Sequence, residues 1–182
     1  MNLDQFKNGK ELIQKAKDFA TAKHEGQLRK FGNKPYIIHP AGVAKIVEDS
    51  GGTPEMIAAA WLHDVVEESG VSFVELREMF GDKVAGIVSE LSNPSDLDKS
   101  KKGQYLLSKM NTMSSDALTV KLSDRLNNVL DFSTARPSFV QKYAGETMFI
   151  INGLEETERP INQQQSKLLT DIRKAIEPYV SD

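Results

Sequence analysis

The 182-residue sequence contains no cysteine. That absence excludes a disulfide framework and any thiolate zinc site, and it is compatible with a cytoplasmic setting. No apolar run approaches the roughly 20 residues that cross a bilayer. The opening Met1 to Lys7 lacks the apolar core of a signal peptide. Positive charge is not in excess: 23 Lys and Arg against 26 Asp and Glu leave a net charge of -3, so nothing marks a nucleic-acid surface. Internal repeats, strand-like alternation and low-complexity segments are missing as well. The expectation is a cytoplasmic protein with neither a membrane nor a nucleic-acid partner. Its length is most simply accommodated as one domain over residues 1–182.

What remains is an all-α pattern of roughly nine helices. Leu12, Ala16 and Phe19-Ala20 recur at helical spacing up to about His24, and Gly26, Gly32 and Pro35 then make Arg29 to Lys34 a loop. Pro40 suits the first turn of a second helix with Val43, Ile46 and Val47 on its apolar face, and Ser50-Gly51-Gly52 ends it. Thr53 as N-cap and Pro54 at N1 open a third helix running through Glu68. Ser72 to Glu75 reads as a capping box for a short helix that stops at Gly81, and Asp82 begins the next. Asn93 to Ser100 is polar and turn-rich, an expected mobile loop. Lys102 to Met113, Asp116 to Phe132, Ser138 to Leu154 and Asn162 to Ala175 complete the pattern.

Ala60-Trp61-Leu62-His63-Asp64-Val65-Val66-Glu67-Glu68 is the most informative stretch. It sets an imidazole beside a carboxylate directly after an apolar run, with Glu67 and Glu68 one turn later. Four ionisable groups in six residues are costly to bury unless something neutralises them, and a divalent metal would. The plain alternative is a helix whose charged end faces solvent. His39, at the start of the second helix, and Asp124, in Val120 to Asn128, are distant candidates to join the pair. Two neutral imidazoles and two carboxylates suit Mn, Fe or Zn better than Ca or Mg. Composition alone does not single out Asp124.

Five blocks in order carry a resemblance: Ala22 to Lys30, Pro35 to Pro40, Leu62 to Glu68, Phe80-Gly81, and Val120 to Asn128. Together they resemble the HD-domain hydrolases of the RelA/SpoT family, in particular the small stand-alone alarmone hydrolases. The resemblance implies an HD-type helical bundle. Its metal ligands would be His39, His63, Asp64 and Asp124, and its catalytic carboxylates Glu67 and Glu68 would act on the attacking water. Arg29 and Lys30 would help hold the nucleotide. It also implies one divalent transition metal per chain, most simply Mn. The reaction implied is release of pyrophosphate from the 3′ position of guanosine 3′,5′-bis(diphosphate), the chemistry of the stringent response. Two departures stand out. The family usually has Glu-Asp-Thr where this chain has Glu67-Glu68-Ser69, and often an Arg where Val129-Leu130-Asp131 follows here.

Several residues have bland readings beside the functional ones. His24 reads as a loop-anchoring or C-capping residue rather than a third imidazole at the site. Arg29 and Lys30 serve either phosphate and base contact or loop solvation. Tyr36 either stacks on a base or packs beneath the His39 turn. Asn128, four residues after Asp124 on the same face, is placed to bond a ribose or a catalytic group, or it is a surface amide. Lys99, Lys101 and Lys102 form a cationic run near the polar loop. Three other functions stay open. They are an HD phosphohydrolase acting on another nucleotide, including a 2′-phosphate dinucleotide such as NADPH, a non-catalytic alarmone-binding module, and a helical interaction protein. The partner expected is a small-molecule nucleotide, with a homo-oligomer also possible.

Overall fold

The computed structural model describes residues 8–94, 96–98 and 100–180. Met1 to Lys7 and Lys99 therefore lie outside the described residues. The chain divides between Ser95 and Asp96 into two compact units. Together the described residues hold nine α-helices, in agreement with the pattern read from the sequence. Among them there is no strand, only an isolated antiparallel bridge between Leu28 and Pro35.

The first unit contains α1 (Gly9–Lys23), α2 (Ile38–Asp49), α3 (Pro54–Leu62), α4 (Val65–Ser69) and α5 (Phe73–Leu91). Capping residues set most boundaries. Asn8 accepts from the Glu11 amide at 2.9 Å, and Thr53 accepts from the Met56 amide with Pro54 in the first turn. Six of the nine residues of α3 are buried, and Ala58, Ala59 and Ala60 expose nothing. A helix apolar on all sides must lie inside its unit, and α1, α2 and α5 all pack against α3. The small alanines let those neighbours approach closely.

Two boundaries differ from the sequence reading. The helix expected to run through Glu68 stops at Leu62 and resumes at Val65. Asp64, at φ -105° and ψ -5°, departs from regular helical values, and the His63 ring has taken the Ala60 carbonyl. The His-Asp pair therefore sits in a joint between two helices. The capping box at Ser72 is half formed: Ser72 Oγ accepts from the Glu75 amide at 3.1 Å, while the Glu75 carboxylate turns to Lys23 at 3.3 Å. The break expected at Gly81 is present as a kink inside α5, with Gly81 at φ 84° and ψ 168°.

The second unit contains α6 (Lys102–Thr112), α7 (Ser115–Leu130), α8 (Pro137–Glu155) and α9 (Gln163–Ile176), with 3-10 turns at Phe132–Thr134 and Glu177–Tyr179. Here α7 is the interior helix: ten of its sixteen residues are buried. It packs against α9, and α8 packs against both α6 and α9. Asn162 and Gln165 close a full capping box at the start of α9.

Gly81 occupies a region of backbone space essentially reserved for glycine, whereas the exposed Gly86 in the same helix has open space where a Cβ would stand. Gly81→Ala is expected to lower unfolding stability by about 1–3 kcal/mol. Gly86→Ala should raise it by about 0.4–1 kcal/mol. Urea unfolding of the two variants beside the parent checks both signs.

Candidate active site

His39 lies on the first turn of α2, and His63 and Asp64 form the joint between α3 and α4. Both imidazoles are 3% exposed. Their Nε2 atoms face each other at 3.3 Å, and Asp64 Oδ2 stands 3.2 Å from His63 Nε2 and 3.6 Å from His39 Nε2. His63 Nδ1 lies 2.8 Å from the Ala60 carbonyl oxygen, which accepts only if Nδ1 carries the proton. His63 Nε2 then presents its lone pair to the group.

This triangle fits a bound ion. Ligand atoms held about 2.0–2.2 Å from one cation stand about 3–3.5 Å from one another. Imidazole nitrogens and a carboxylate oxygen form a donor set for a divalent transition metal. The sequence reading placed these three residues together, and the first unit brings them together.

Tyr36 takes a part that neither of its expected readings contained. Its hydroxyl donates to Asp64 Oδ2 at 2.6 Å, so it orients a candidate ligand. Burial first, then the Asp64 carboxylate, push the phenol well above its ordinary range, which keeps it a donor. Its ring lies 4.9 Å from the His24 ring and 5.7 Å from the Arg29 guanidinium. His24 caps α1, its amide donating to the Ala20 carbonyl, as expected of a C-capping residue. Arg29 and Lys30 are carried on a hairpin closed by two backbone bonds, Arg29 N to Lys34 O at 2.8 Å and Tyr36 N to Gln27 O at 2.9 Å.

Glu67 and Glu68 are exposed on the short helix α4. Glu67 Oε1 accepts from the Asn93 amide at 2.8 Å, just beyond the end of α5. Partial burial first, then the Asp64 and Glu67 charges, raise the Glu68 carboxyl above the usual carboxylate range. At a given pH near its titration, Glu68 is thus more protonated than an isolated glutamate.

In the second unit Asp124 is 8% exposed on α7. Lys121 Nζ donates to its Oδ2 at 2.9 Å, and Asn128 Nδ2 donates to its Oδ1 at 2.7 Å. The Asn128 amide, expected to reach a ribose or a catalytic group, is thus engaged with the Asp124 carboxylate. Burial alone would depress the Lys121 ammonium, but Asp124 outweighs it and the net shift is upward. Sequence reasoning missed Lys121, although its place one turn before Asp124 was a signal. Arg125, one residue on, is held by Thr147 at 2.7 Å and Glu146 at 3.3 Å and lies 4.9 Å from the Tyr143 ring centre.

The helical fold and a buried donor set that suits a divalent metal are together those of an HD-type protein. A family model described as HD domain matches residues 16–155, and the chain belongs to that family. Within it the chain is similar to proteins named guanosine-3′,5′-bis(diphosphate) 3′-pyrophosphohydrolase, both short and long. It is 33% identical over 168 residues to guanosine-3′,5′-bis(diphosphate) 3′-pyrophosphohydrolase MESH1 of Xenopus tropicalis, an alignment covering 88% of this chain and 94% of that protein. It is 36% identical over 151 residues to guanosine-3′,5′-bis(diphosphate) 3′-pyrophosphohydrolase of Aquifex aeolicus, covering 81% of this chain but 22% of that longer protein. A solved structure, described as a metazoan ortholog of SpoT that hydrolyses ppGpp, superposes with a TM-score of 0.78 at 25% identity. That superposition covers 90% of this chain and 94% of the other.

Removing the cation from the buried Lys121–Asp124 pair strands a carboxylate. Lys121→Met is expected to cost about 3–5 kcal/mol of unfolding stability. Urea denaturation in the presence of a chelator measures this, and a loss under about 1 kcal/mol would show the pair to be dispensable.

Proposed function

We propose that this chain hydrolyses guanosine 3′,5′-bis(diphosphate), releasing pyrophosphate from the 3′ position with one divalent transition metal, most simply Mn. One observation carries the reading: the buried Nε2 atoms of His39 and His63 stand in a ligand-sized triangle with Asp64 Oδ2. It occurs in a chain aligned over nearly the whole length of a relative named for this activity. His39, His63 and Asp64 would hold the metal with Asp124, the fourth ligand implied by the family resemblance. We take the two units to act as one HD domain, because the family match runs across residues 95 and 96. A nucleotide substrate also favours a cytoplasmic location.

When bound, the metal supplies Lewis acidity at the attacked phosphoryl group. The chain's own residues do the rest. Glu67 orients the attacking water and takes its proton as the new oxygen–phosphorus bond forms. The bond from that phosphorus to the 3′ oxygen breaks, and Glu68 returns a proton to the leaving oxygen. The raised Glu68 carboxyl suits a donor. Arg29 and Lys30 neutralise phosphate charge from the hairpin. Tyr36 acts through Asp64, and Asn128 through Asp124.

Three measurements test this. Elemental analysis of purified protein should give about one transition-metal ion per chain, and His63→Ala should lose it. Glu67→Gln should keep the metal while turnover of the 3′,5′-bis(diphosphate) falls by about 10²-fold or more. Arg29→Ala should lose roughly 10- to 150-fold in kcat/KM on that substrate, and far less on p-nitrophenyl phosphate, which is too short for the hairpin. Metal-loaded protein that turns over a dinucleotide 2′-phosphate instead would change the substrate. Binding without turnover would make the chain a sensor.

A further inference from the structure

Gln27 bonds to both elements bearing the proposed chemistry. Its backbone carbonyl accepts from the Tyr36 amide at 2.9 Å, which closes the hairpin of Arg29 and Lys30. Its side chain reaches the other way. His24 Nδ1 stands 2.8 Å from Gln27 Oε1, and Gln27 Nε2 donates to the Glu68 carbonyl at 3.0 Å and to Ser69 Oγ at 3.2 Å. The Ser69 hydroxyl in turn donates to the Lys23 carbonyl at 3.0 Å.

The bonds are mutually consistent in direction. An amide oxygen can only accept, so His24 must carry its proton on Nδ1. That contact leaves the amide nitrogen facing α4, where both neighbours, the Glu68 carbonyl and Ser69 Oγ, can accept. His24 is 2% exposed and its Nε2 makes no hydrogen bond, so Gln27 is the single polar partner of a buried ring. The clamp has something to hold. At five residues α4 is far too short to be stable on its own. Its beginning is set by the His63–Asp64 joint, and its end is tied by Gln27 and Ser69.

We propose that Gln27 is a positioning residue whose amide holds α4, and with it the Glu67 and Glu68 carboxylates, in register with the hairpin of Arg29 and Lys30. This rests on the reading that those carboxylates carry the proton transfers. A displacement of about 1 Å in such a group costs about 10²-fold in rate. Binding groups on the hairpin and ligands in the joint would stay where they are.

The decisive variants are Gln27→Glu, Gln27→Leu, Ser69→Ala and Ser69→Thr. Gln27→Glu keeps the acceptor for His24 but sets an oxygen against the Glu68 carbonyl. Ser69→Thr keeps the hydroxyl. Each variant of the full chain would be followed by steady-state kinetics on the 3′,5′-bis(diphosphate), by metal content, and by amide exchange over residues 64–71. Both Gln27 variants should exchange about tenfold faster in α4, the scale of one net hydrogen bond. They should lose about 10- to 100-fold in kcat, with KM within about threefold of the parent and metal retained. Ser69→Ala should follow them partway, and Ser69→Thr should match the parent. A rise in KM with kcat unchanged would overturn the proposal by making Gln27 a substrate contact. Unchanged exchange in α4, or faster exchange across α1 to α3 together with metal loss, would overturn it as well. Should the parent prove inactive on this nucleotide, the functional reading fails, and the exchange comparison alone still decides whether Gln27 holds α4.

Discussion

Burial of His39 and His63 with their Nε2 atoms 3.3 Å apart is the constraint on which the first unit is built. Taking two imidazoles and a neighbouring carboxylate out of water is unfavourable unless each polar atom has a partner. The sequence answers atom by atom. The Ala60 carbonyl takes the His63 Nδ1 proton, the Tyr36 hydroxyl takes Asp64 Oδ2, and the facing lone pairs converge where a cation fits. The helix scaffold follows from the same need. Three consecutive alanines keep α3 slender enough for α1, α2 and α5 to close around it. Breaking the helix at Asp64 then sends that carboxylate back toward both rings, which an unbroken helix with residues about 100° apart would not do.

The second unit solves a smaller version of the same problem. Asp124 sits on α7, the most enclosed helix there, and is gripped from one turn before by Lys121 and one turn after by Asn128. Two other polar residues of that helix are satisfied locally: Thr119 and Ser123 donate back to the carbonyls four residues earlier. Gln165 of α9 closes the remaining gap by donating to Ser115 and Thr119. A carboxylate held on two sides has one direction, and a ligand needs a fixed direction before the ion arrives.

Much of this was legible in the sequence, and the part that was not has a common cause. Caps, glycine stops and apolar spacing gave the helices because they act over three or four residues. His63 and Asp64 stood out because charge beside an apolar run demands a reason, whereas Asp124 was singled out only by the family resemblance. Bonds between residues far apart in sequence left no such mark. Tyr36 and Asp64 are 28 residues apart, and Gln27 and Ser69 are 42 apart. Tyr36 read only as a ring that stacks on a base or packs beneath the His39 turn, and Gln27 only as part of its block. The break at His63–Asp64 was hidden for another reason: Val65, Val66 and the glutamates continue a plausible helical pattern, and only the three-dimensional demand on Asp64 interrupts it.

The structure separates what must be rigid from what can vary. The candidate ligands sit on the first turn of α2, in the joint after α3 and on α7, while Glu67, Glu68, Arg29 and Lys30 ride on a five-residue helix and a hairpin at the surface of the first unit. A metal centre tolerates little displacement, since its ligand atoms must meet within tenths of an ångström. The groups proposed to move protons or meet phosphates sit on elements that a side-chain bond can re-aim. Glu68, where the family resemblance would have Asp, is such a position: one more methylene on an exposed turn is easily accommodated. Under the proposed function, the enclosed positions would hold the cation, and the surface elements would set which phosphate ester is cleaved and how fast.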